Sequence, residues 1–465
     1  LLGFFMQTDV RILEVRPYFQ REMARTPMKF GGVVLDSAVY CHVRVLVENR
    51  QGRSAEGWGA IFLADQWAWP QIQAGHAVAE QLMQDLVVAW CRRVQEYSEF
   101  AHPIDLFWTI EPELMPLAEQ VCRRRDVSES MPRMAALISA SPVDAAVHDA
   151  FGNVNQIDAY DAYGPEHCGH DLSRWLGPDF HGKYISDYLK PLSPRIDAFH
   201  LVGGLDALTP DEVGENRLDD GLPNSLTEWI RRERLHCLKI KLVGNDFDWD
   251  LNRLLSVVRI ARQEHQQLQI PQMWLTVDSN EMCDTPDYMV ELLQRFRDLD
   301  PAGFESLLYV EQPCERDLQR RRMDVRELAS LKPVIADEAL GSLEDLHLAL
   351  ELGYSGAALK SCKCQSEQLV IAALLTERQL PFSVQDLANP GIALLHSVGL
   401  AGRLHVIRGV ESNSRQFFPN TSQPEMTIHP GVYHLMNGQI DTSTLRGSGL
   451  GLRWQEIGRQ LPPPD

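Results

Sequence analysis

The feature that most constrains the fold is a pattern that repeats from about residue 198 onward. A short apolar run ends in a polar residue or a turn, and a segment with helical spacing of apolar residues follows. The eight runs are AFHLVGGL (198–205), HCLKIKLV (236–243), MWLTVDSN (273–280), SLLYVEQP (306–313), PVIADEAL (333–340), GAALKSCK (356–363), PFSVQDLA (381–388) and HVIRGVES (405–412). From the second run on, successive runs start 37, 33, 27, 23, 25 and 24 residues apart, which leaves room for a strand, a crossover helix and two loops. The pattern predicts an α/β fold, a (β/α)₈ barrel whose parallel strands are covered on both faces.

The N-terminal third of the chain has a different pattern. The stretch VYCHVRVLVENRQGRSAEGWGA (39–60) alternates like a β-hairpin with NRQG as its turn. HAVAEQLMQDLVVAWCRRVQ (76–95) and AALISASPVDAAVHDAFG (135–152) have the composition of helices. These residues predict a separate α+β domain that precedes the barrel. The following residues, 153–197, are rich in Gly, Pro, Asp and Tyr and indicate a connection or insertion.

The charge balance excludes several classes of partner. The chain has 465 residues, a formal net charge of −20 and a pI near 5.2. Nucleic acids and anionic membrane surfaces require a basic face, so neither partner is expected. Nine cysteines, an odd number without paired spacing, favour a reducing compartment. No apolar stretch approaches the roughly 20 residues that span a bilayer, and we therefore expect a soluble, cytoplasmic protein.

Two lysines interrupt the apolar second run, in the stretch LKIKL. Side chains two residues apart on a strand share a face, so Lys239 and Lys241 lie on one side and the three aliphatic residues on the other. In a half-exposed antiparallel strand the lysines would simply be solvated. In a barrel the aliphatic face packs against helices and both lysines point into the barrel mouth, which favours a chemical role.

Three consecutive strands end in a carboxylate: Asp278 in LTVDSN, Glu311 in LYVEQP and Asp337 in VIADEA. Barrel active sites lie at the C-terminal ends of the strands, so we expect these acids to converge. Any one of them could be a turn or helix-capping residue. Three together would repel one another unless a hard divalent cation binds them through oxygen, as Mg²⁺ does. The pattern predicts one Mg²⁺ per subunit.

A third lysine, Lys360 in AALKSC, ends the sixth strand. The lysines of strands two and six therefore flank the acids of strands three to five. This arrangement suits removal of a proton from the carbon next to a carboxylate, because a metal stabilises the developing enediolate charge while a lysine takes the proton. A free lysine, with a pKa near 10.4, is a poor base. A neighbouring ammonium and a dication disfavour its charged form, so Lys239 is expected to help make Lys241 a competent base.

The order of these motifs resembles one known family. KIK, VDSN, VEQP, ADEALGS and ALKSCK follow one another as in the mandelate racemase/muconate lactonizing enzyme family of the enolase superfamily, and the lysines on strands two and six resemble its muconate lactonizing type. TPMKFGG (26–32) and EGWGA resemble the substrate-loop region of that family's capping domain, SPVDAAVHDAFG its last helix, and GSGLGLRW the segment that returns to the cap. The resemblance covers about residues 8–454.

The resemblance implies both an architecture and a set of roles. The expected architecture is a TIM-like barrel with an N-terminal α+β capping domain that the C-terminal segment completes. The expected boundaries are 1–152 for the capping domain, 153–197 for the connection, 198–430 for the barrel and 431–465 for the returning segment. The implied roles are Mg²⁺ ligation by Asp278, Glu311 and Asp337, acid/base catalysis by Lys241 and Lys360, and electrostatic support by Lys239.

Several functions remain open from the sequence. An enzyme that abstracts a proton alpha to a carboxylate is favoured, as a racemase, epimerase or cycloisomerase. A dehydratase (lyase) is the alternative, but elimination usually benefits from a dedicated acid, which the sequence does not identify. A non-catalytic barrel that only binds would be expected to lack a ligand or a lysine, and a metal-dependent hydrolase to show histidine ligands. Neither pattern is found.

Substrate recognition is the least constrained part of the sequence. The ending VESNSRQ lacks the DxD pattern of dipeptide epimerases, and Asp386 has no evident histidine partner of the mandelate racemase kind. Cap regions 18–30 and 58–69, with Arg21, Arg25 and several aromatic residues, suggest an anionic or partly apolar substrate. Candidate substrate contacts in the barrel are Asn280 and Glu411. The expected partners are a small-molecule carboxylate and further copies of the chain in a homo-oligomer.

Overall fold

The computed structural model describes residues 6–30 and 33–464. The strands are β1 Val10–Phe30, β2 Val33–Asn49, β3 Ser54–Phe62, β4 Arg195–Val202, β5 Cys237–Lys241, β6 Trp274–Asp278, β7 Leu307–Glu311, β8 Val334–Ala336, β9 Gly356–Lys360, β10 Phe382–Gln385, β11 Val410–Glu411 and β12 Gln439–Asp441. The helices are α1 Asp65–Ala68, α2 His76–Gln95, α3 Pro103–Ile110, α4 Leu114–Arg124, α5 Arg133–Asn155, α6 Ser173–Leu176, α7 Pro210–Val213, α8 Leu226–Glu233, α9 Phe247–Leu268, α10 Pro286–Leu299, α11 Pro301–Glu305, α12 Arg326–Leu331, α13 Leu343–Glu351, α14 Gln365–Glu377, α15 Gly391–Arg403, α16 Ser414–Phe417, α17 Gln423–Ile428, α18 Pro430–Tyr433 and α19 Trp454–Ile457. Short 3₁₀ helices lie at Glu111–Glu113, Ala159–Ala162, Pro178–Phe180, Ile185–Tyr188, Gly214–Asn216 and Ser361–Lys363.

The N-terminal domain is an antiparallel three-stranded sheet, in the order β1–β2–β3, packed on helices. The turn after β2 lies at the predicted NRQG. Two glycines of β3 bring the sheet close to α5. A Cβ at Gly57 would lie 2.0 Å from the Ala150 nitrogen, and one at Gly59 would lie 2.1 Å from the Pro142 oxygen. The EGWGA stretch therefore serves close packing of this sheet on a helix that is itself buried along most of its length.

The second domain is a closed parallel barrel. Strands β4 to β11 are neighbours in sequence order, and β11 pairs with β4 to close the sheet. Seven of the eight predicted runs contain one of these strands, and the first run overlaps β4, which begins earlier, at Arg195. The fold class is confirmed. The aliphatic face of LKIKL, residues Leu238, Ile240 and Leu242, is buried in the main hydrophobic core, as expected for a strand covered by helices.

The C-terminal segment contacts the N-terminal domain. Leu450 donates its backbone N–H to Asp149 Oδ1 at 2.8 Å, and the Trp454 ring stacks on Trp58 with centroids 4.1 Å apart. The capping domain is therefore built from both ends of the described chain. The boundaries near residues 152, 197 and 430 stay predictions. In the TPMKFGG match, Gly31 and Gly32 lie outside the described residues.

Over residues 6–30 and 33–464, none of the helices combines the length and the apolar character that crossing a bilayer demands.

The stacked tryptophans permit a test of the two-ended cap. Trp454→Ala removes the ring that covers Trp58, and we expect a loss of about 2 kcal/mol in the free energy of unfolding, less than for a fully buried aromatic residue. Denaturant unfolding measures this value. Leu299, which is 48% exposed, is the control, since Leu299→Ala should change stability by less than about 0.5 kcal/mol. Proteolytic release of the C-terminal segment without loosening of the N-terminal half would contradict the assignment.

Candidate active site

Strand register brings the predicted residues to one end of the barrel. Lys241 is paired with Asp278, and Asp278 with Glu311, at the last positions of β5, β6 and β7. Lys360 is the last residue of β9 and is paired with Gln385 of β10. Because the strands are parallel, their C-terminal ends meet at one rim, and the side chains converge there.

The predicted catalytic and metal-binding residues are all buried. The exposed fraction is at most 8% for each of Lys239, Lys241, Asp278, Glu311, Asp337 and Lys360. The interpretation of LKIKL as a solvated strand is therefore wrong for this structure. Buried charges require partners, and the lysines and acids supply them to one another.

Lys239 is at the centre of this network. Its Nζ lies 2.8 Å from Glu311 Oε1, 3.0 Å from Glu411 Oε2 and 3.1 Å from Asp278 Oδ2. Burial alone would lower the pKa of Lys239, but the three carboxylates outweigh burial and hold its pKa well above the usual value. Lys239 is therefore held as a cation between acids of three strands, and its electrostatic role in catalysis stays a prediction.

The other two lysines lie on opposite sides of the acids. Lys241 donates to Asp278 Oδ2, and Lys360 Nζ lies 2.7 Å from Asp337 Oδ2. Burial raises the pKa of each of these carboxyl groups, but the neighbouring ammonium groups outweigh it and hold both pKa values well below the usual range. Burial lowers the pKa of Lys360, and Asp337 outweighs that effect and raises it.

The pKa of Glu311, which lies between the other two acids, is shifted in the opposite direction. Burial and the charges of Asp278 and Asp337 raise its pKa well above the usual value, even though Lys239 opposes the shift. Gln385 donates to Glu311 Oε2 at 2.6 Å and supports the side chain from β10. Three buried acids on adjacent strands thus form an electrostatically strained group that favours a cation.

The donor set fits Mg²⁺ in chemistry. Asp278, Glu311 and Asp337 offer hard carboxylate oxygens, and an ammonium, that of Lys239, already lies between two of them. The three are not gathered to coordinating distance, however. Among the described residues, only one group of three His, Cys, Asp or Glu side chains has its ligand atoms within 4.8 Å of one another. That group does not include these acids and lies elsewhere in the barrel.

The structure adds two site residues that sequence reasoning missed. Lys363 is fully buried, with its Nζ 3.1 Å from Asp337 Oδ1 and 2.6 Å from the Asp337 carbonyl oxygen. Glu338 is buried beside Asp337, and burial together with the Asp337 charge raises its pKa to about 7. The available signals were the second lysine of KSCK and the acidic pair in VIADEA.

The capping domain supplies the roof of the pocket. The cap residues that line it are Met28, Leu35, Ala38, Phe62, Ala64 and Trp67. The Trp67 Nε1–H donates to Glu338 Oε1 at 3.0 Å, and the Lys360 Nζ lies 4.5 Å from the centroid of the Trp67 ring. A mainly apolar roof therefore faces a charged floor, and one aromatic side chain joins them.

The two candidate substrate contacts also line this pocket. Asn280 donates to Glu338 Oε1 at 3.2 Å, and within the described chain its Oδ1 has no hydrogen-bond partner. Glu411 pairs with Lys239 and accepts from Asn413 Nδ2 at 2.5 Å. Asn280 Oδ1 is thus a polar atom available to a ligand.

The two cap arginines lie away from the lysine pocket. Arg21 pairs with Glu80 within the capping domain. Arg25 pairs with Asp220, in the loop that precedes α8, with its Nη2 3.0 Å from Asp220 Oδ1. The suggestion that they contact an anionic substrate is not supported, and the pocket owes its positive charge to the barrel lysines.

The barrel part of the chain matches a protein-family model. The model described as enolase C-terminal domain-like matches residues 222–457, slightly more than half of the sequence. The chain belongs to the enolase C-terminal domain-like family. Proteins of this family are enzymes, so the expectation of an enzyme is confirmed at this level. No curated protein sequence matches the chain significantly.

Solved structures share the fold at low sequence identity. Muconate lactonizing enzyme from Mucobacterium Smegmatis, complexed with muconolactone, is 17% identical with a TM-score of 0.59, over 97% of this chain and 100% of that one. The L-Ala-D/L-Glu epimerase from Bacillus subtilis is 15% identical with a TM-score of 0.62, over 95% and 99%. An enolase from Bradyrhizobium, complexed with magnesium and mandelic acid, is 14% identical with a TM-score of 0.61, over 98% and 100%. These similarities support the fold of this enolase C-terminal domain-like protein.

Proposed function

We propose that the protein is a Mg²⁺-dependent isomerase that removes a proton alpha to a substrate carboxylate, as a racemase, epimerase or cycloisomerase of the muconate lactonizing type. The observation that carries the proposal is the placement of Lys241 and Lys360. Each is hydrogen-bonded to a different strand-end acid, and both line the same pocket. Two amines on opposite sides of one substrate carbon suit proton removal on one face and return on the other.

The acids of β6, β7 and β8 would hold the metal. We assign Mg²⁺ to Asp278, Glu311 and Asp337, one ion per subunit, because their buried oxygens match its preference and their mutual repulsion favours a dication. When bound, the ion supplies positive charge where the substrate carboxylate becomes an enediolate. In the same proposal Lys239 holds positive charge beside the acids, and Asn280 and Glu411 orient the substrate.

The apolar roof supports a compact substrate. The carboxylate would lie toward the lysines, with an apolar portion against Met28, Phe62 and the Trp67 ring. The solved relatives act on or bind different acids by their names, including muconolactone, a dipeptide and mandelic acid. The substrate is therefore proposed only as a small carboxylic acid. A homo-oligomer is likewise a prediction from the sequence.

The direct experiment is exchange of the alpha proton with deuterated solvent. Acid sugars, N-acylamino acids, dipeptides and lactones would be incubated with the protein and Mg²⁺ in D₂O. Incorporation of deuterium at the alpha carbon would be followed by NMR or mass spectrometry. Exchange in at least one class, with interconversion of stereoisomers or ring closure, is the expected result. Loss of a beta substituent instead would assign the protein to the dehydratases.

Trp67 provides a graded test of the roof. Trp67→Phe keeps an aromatic ring near Lys360 but removes the N–H donor to Glu338, whereas Trp67→Ala removes both contacts. Contacts between a cation and an aromatic ring contribute about 0.5–2 kcal/mol, so we expect the alanine variant to lose up to about 30-fold in exchange rate and the phenylalanine variant to lose less. Equal rates in both variants and in the wild type would exclude a role for this side chain.

A further inference from the structure

A second cluster of ligand-type side chains lies at the opposite end of the barrel. Asp197 is near the start of β4, His236 immediately precedes β5, and Cys237 is its first residue. Side chains alternate along a strand, so Cys237 shares the inward face of β5 with Lys239 and Lys241. The thiol is thus at the bottom of the face whose top carries the candidate acid/base lysine, and no step of the proposed reaction uses it.

The geometry of the cluster matches a metal site of mixed ligands. One carboxylate oxygen, one imidazole nitrogen and the thiol sulfur lie within 4.8 Å of one another, and His236 Nε2 is 3.2 Å from Asp197 Oδ1. Bonds of about 2.0–2.3 Å in a tetrahedral zinc site place the ligand atoms about 3.3–3.6 Å apart. Modest side-chain movements would therefore bring all three atoms onto one ion, and a fourth position would remain for water.

The ligand types point to a particular class of cation. Thiolate and imidazole select borderline or soft ions such as Zn²⁺, whereas Mg²⁺ prefers oxygen. This separates the cluster chemically from the acids at the other end of the barrel. Cys237 is fully buried and burial raises the pKa of its thiol, so an ion must displace the thiol proton to solvent on binding.

A basic side chain competes for the same carboxylate. Arg408 Nε lies 2.8 Å from Asp197 Oδ2, and its guanidinium carbon is 4.6 Å from the centroid of the Trp274 ring. Gln439 Nε2 donates to Asp197 Oδ1 at 2.8 Å. The Arg408 side chain is 35% exposed, which gives it room to turn toward solvent. Without an ion, the arginine balances the charge of Asp197; with an ion, the two positive charges would repel.

We propose that Asp197, His236 and Cys237 form a binding site for Zn²⁺ or a similar thiophilic divalent cation at the N-terminal end of the barrel, with Arg408 as its intramolecular competitor. The site is independent of the Mg²⁺ site and of the proposed reaction. Its occupation would join β4 and β5 at the end of the barrel farthest from the pocket.

Cobalt absorption spectroscopy tests the proposal directly. Co²⁺ is added to the full-length protein in excess Mg²⁺, and the charge-transfer band that a cobalt-bound thiolate produces is followed; Zn²⁺ should then abolish the band by displacement. We expect Cys237→Ser to lose the band and His236→Gln to weaken Zn²⁺ binding by more than about 100-fold, beyond the range found for outer-shell partners. Arg408→Gln should tighten binding by about tenfold or more, because a competing charge is removed.

Cys91→Ala, in the capping domain, is the matched control and should leave the band unchanged. Circular dichroism of each variant establishes that it is folded. The proposal is overturned if the wild type gives no band at millimolar Co²⁺, if Cys237→Ser retains it, or if the band is lost in the Cys91 variant. If Cys237→Ser fails to fold, the opposite changes in His236→Gln and Arg408→Gln decide the result.

Discussion

Lys241→Ala and Lys360→Ala should each lower the rate of the proposed isomerisation by about 10²–10⁴-fold or more, the range usual for loss of a general acid or base. The two variants should differ in the face of the substrate that they affect. With a racemisable substrate in D₂O, one variant should stop deuterium exchange into one enantiomer, and the other variant should stop exchange into its mirror image. Chiral chromatography with mass detection measures both rates.

Two further variants separate proton transfer from electrostatics. Lys241→Arg keeps a positive charge beside Asp278 but carries a group that does not deprotonate in proteins, so it should be as inactive as the alanine variant. Lys332→Ala, which removes a lysine from the loop before β8, should exchange at the wild-type rate. If both alanine variants exchange both enantiomers at wild-type rates, neither Lys241 nor Lys360 has a catalytic role.

Removal of the metal, or of one of its proposed ligands, should lower turnover nearly as much as loss of a pocket lysine. Asp278→Asn and Glu311→Gln preserve side-chain size but remove charge, and each should lower turnover by about 10³-fold or more, since a metal ion contributes several kcal/mol of charge stabilisation. Excess chelator should have the same effect on the wild type, and added Mg²⁺ should reverse it. Calorimetric titration with Mg²⁺ should show binding to the wild type and none to the two variants.

Asp284→Asn is the matched control for these substitutions. It changes an exposed acid in the loop after β6, outside the pocket, and should leave both turnover and Mg²⁺ binding unchanged. Full turnover of the wild type in excess chelator would defeat the assignment. So would normal Mg²⁺ binding by the Glu311 variant.

The elements that follow from local pattern were predictable. Each barrel strand is a short apolar run with a helix after it, so the period alone located all eight, and the strand ends then placed Asp278, Glu311 and Asp337 at one rim. Burial of Lys239 followed from the fold, since a covered parallel strand leaves its polar face only the barrel interior.

Contacts between distant parts of the chain were not predictable in this way. Trp67 contacts Glu338 across 271 residues. The acidic pair in VIADEA draws attention to Glu338, but no local spacing links it to Trp67. Arg25 was expected near the substrate because of its charge, but its length and flexibility let it pair with Asp220, 195 residues away. A long charged side chain can reach many partners of opposite sign, and the tertiary structure determines which of them it contacts.

The bond from Leu450 to Asp149 joins residues 301 positions apart, and it has a consequence for biosynthesis. Chains emerge from the ribosome N-terminus first, and domains usually fold in that order. Here the N-terminal sheet is translated before the barrel, and it lacks the Trp454 ring and the GSGLGLRW segment until the barrel strands have been made. Until then, the apolar surface around Trp58 stays uncovered. Nascent chains stalled before residue 446 should therefore bind chaperones more than full-length chains do.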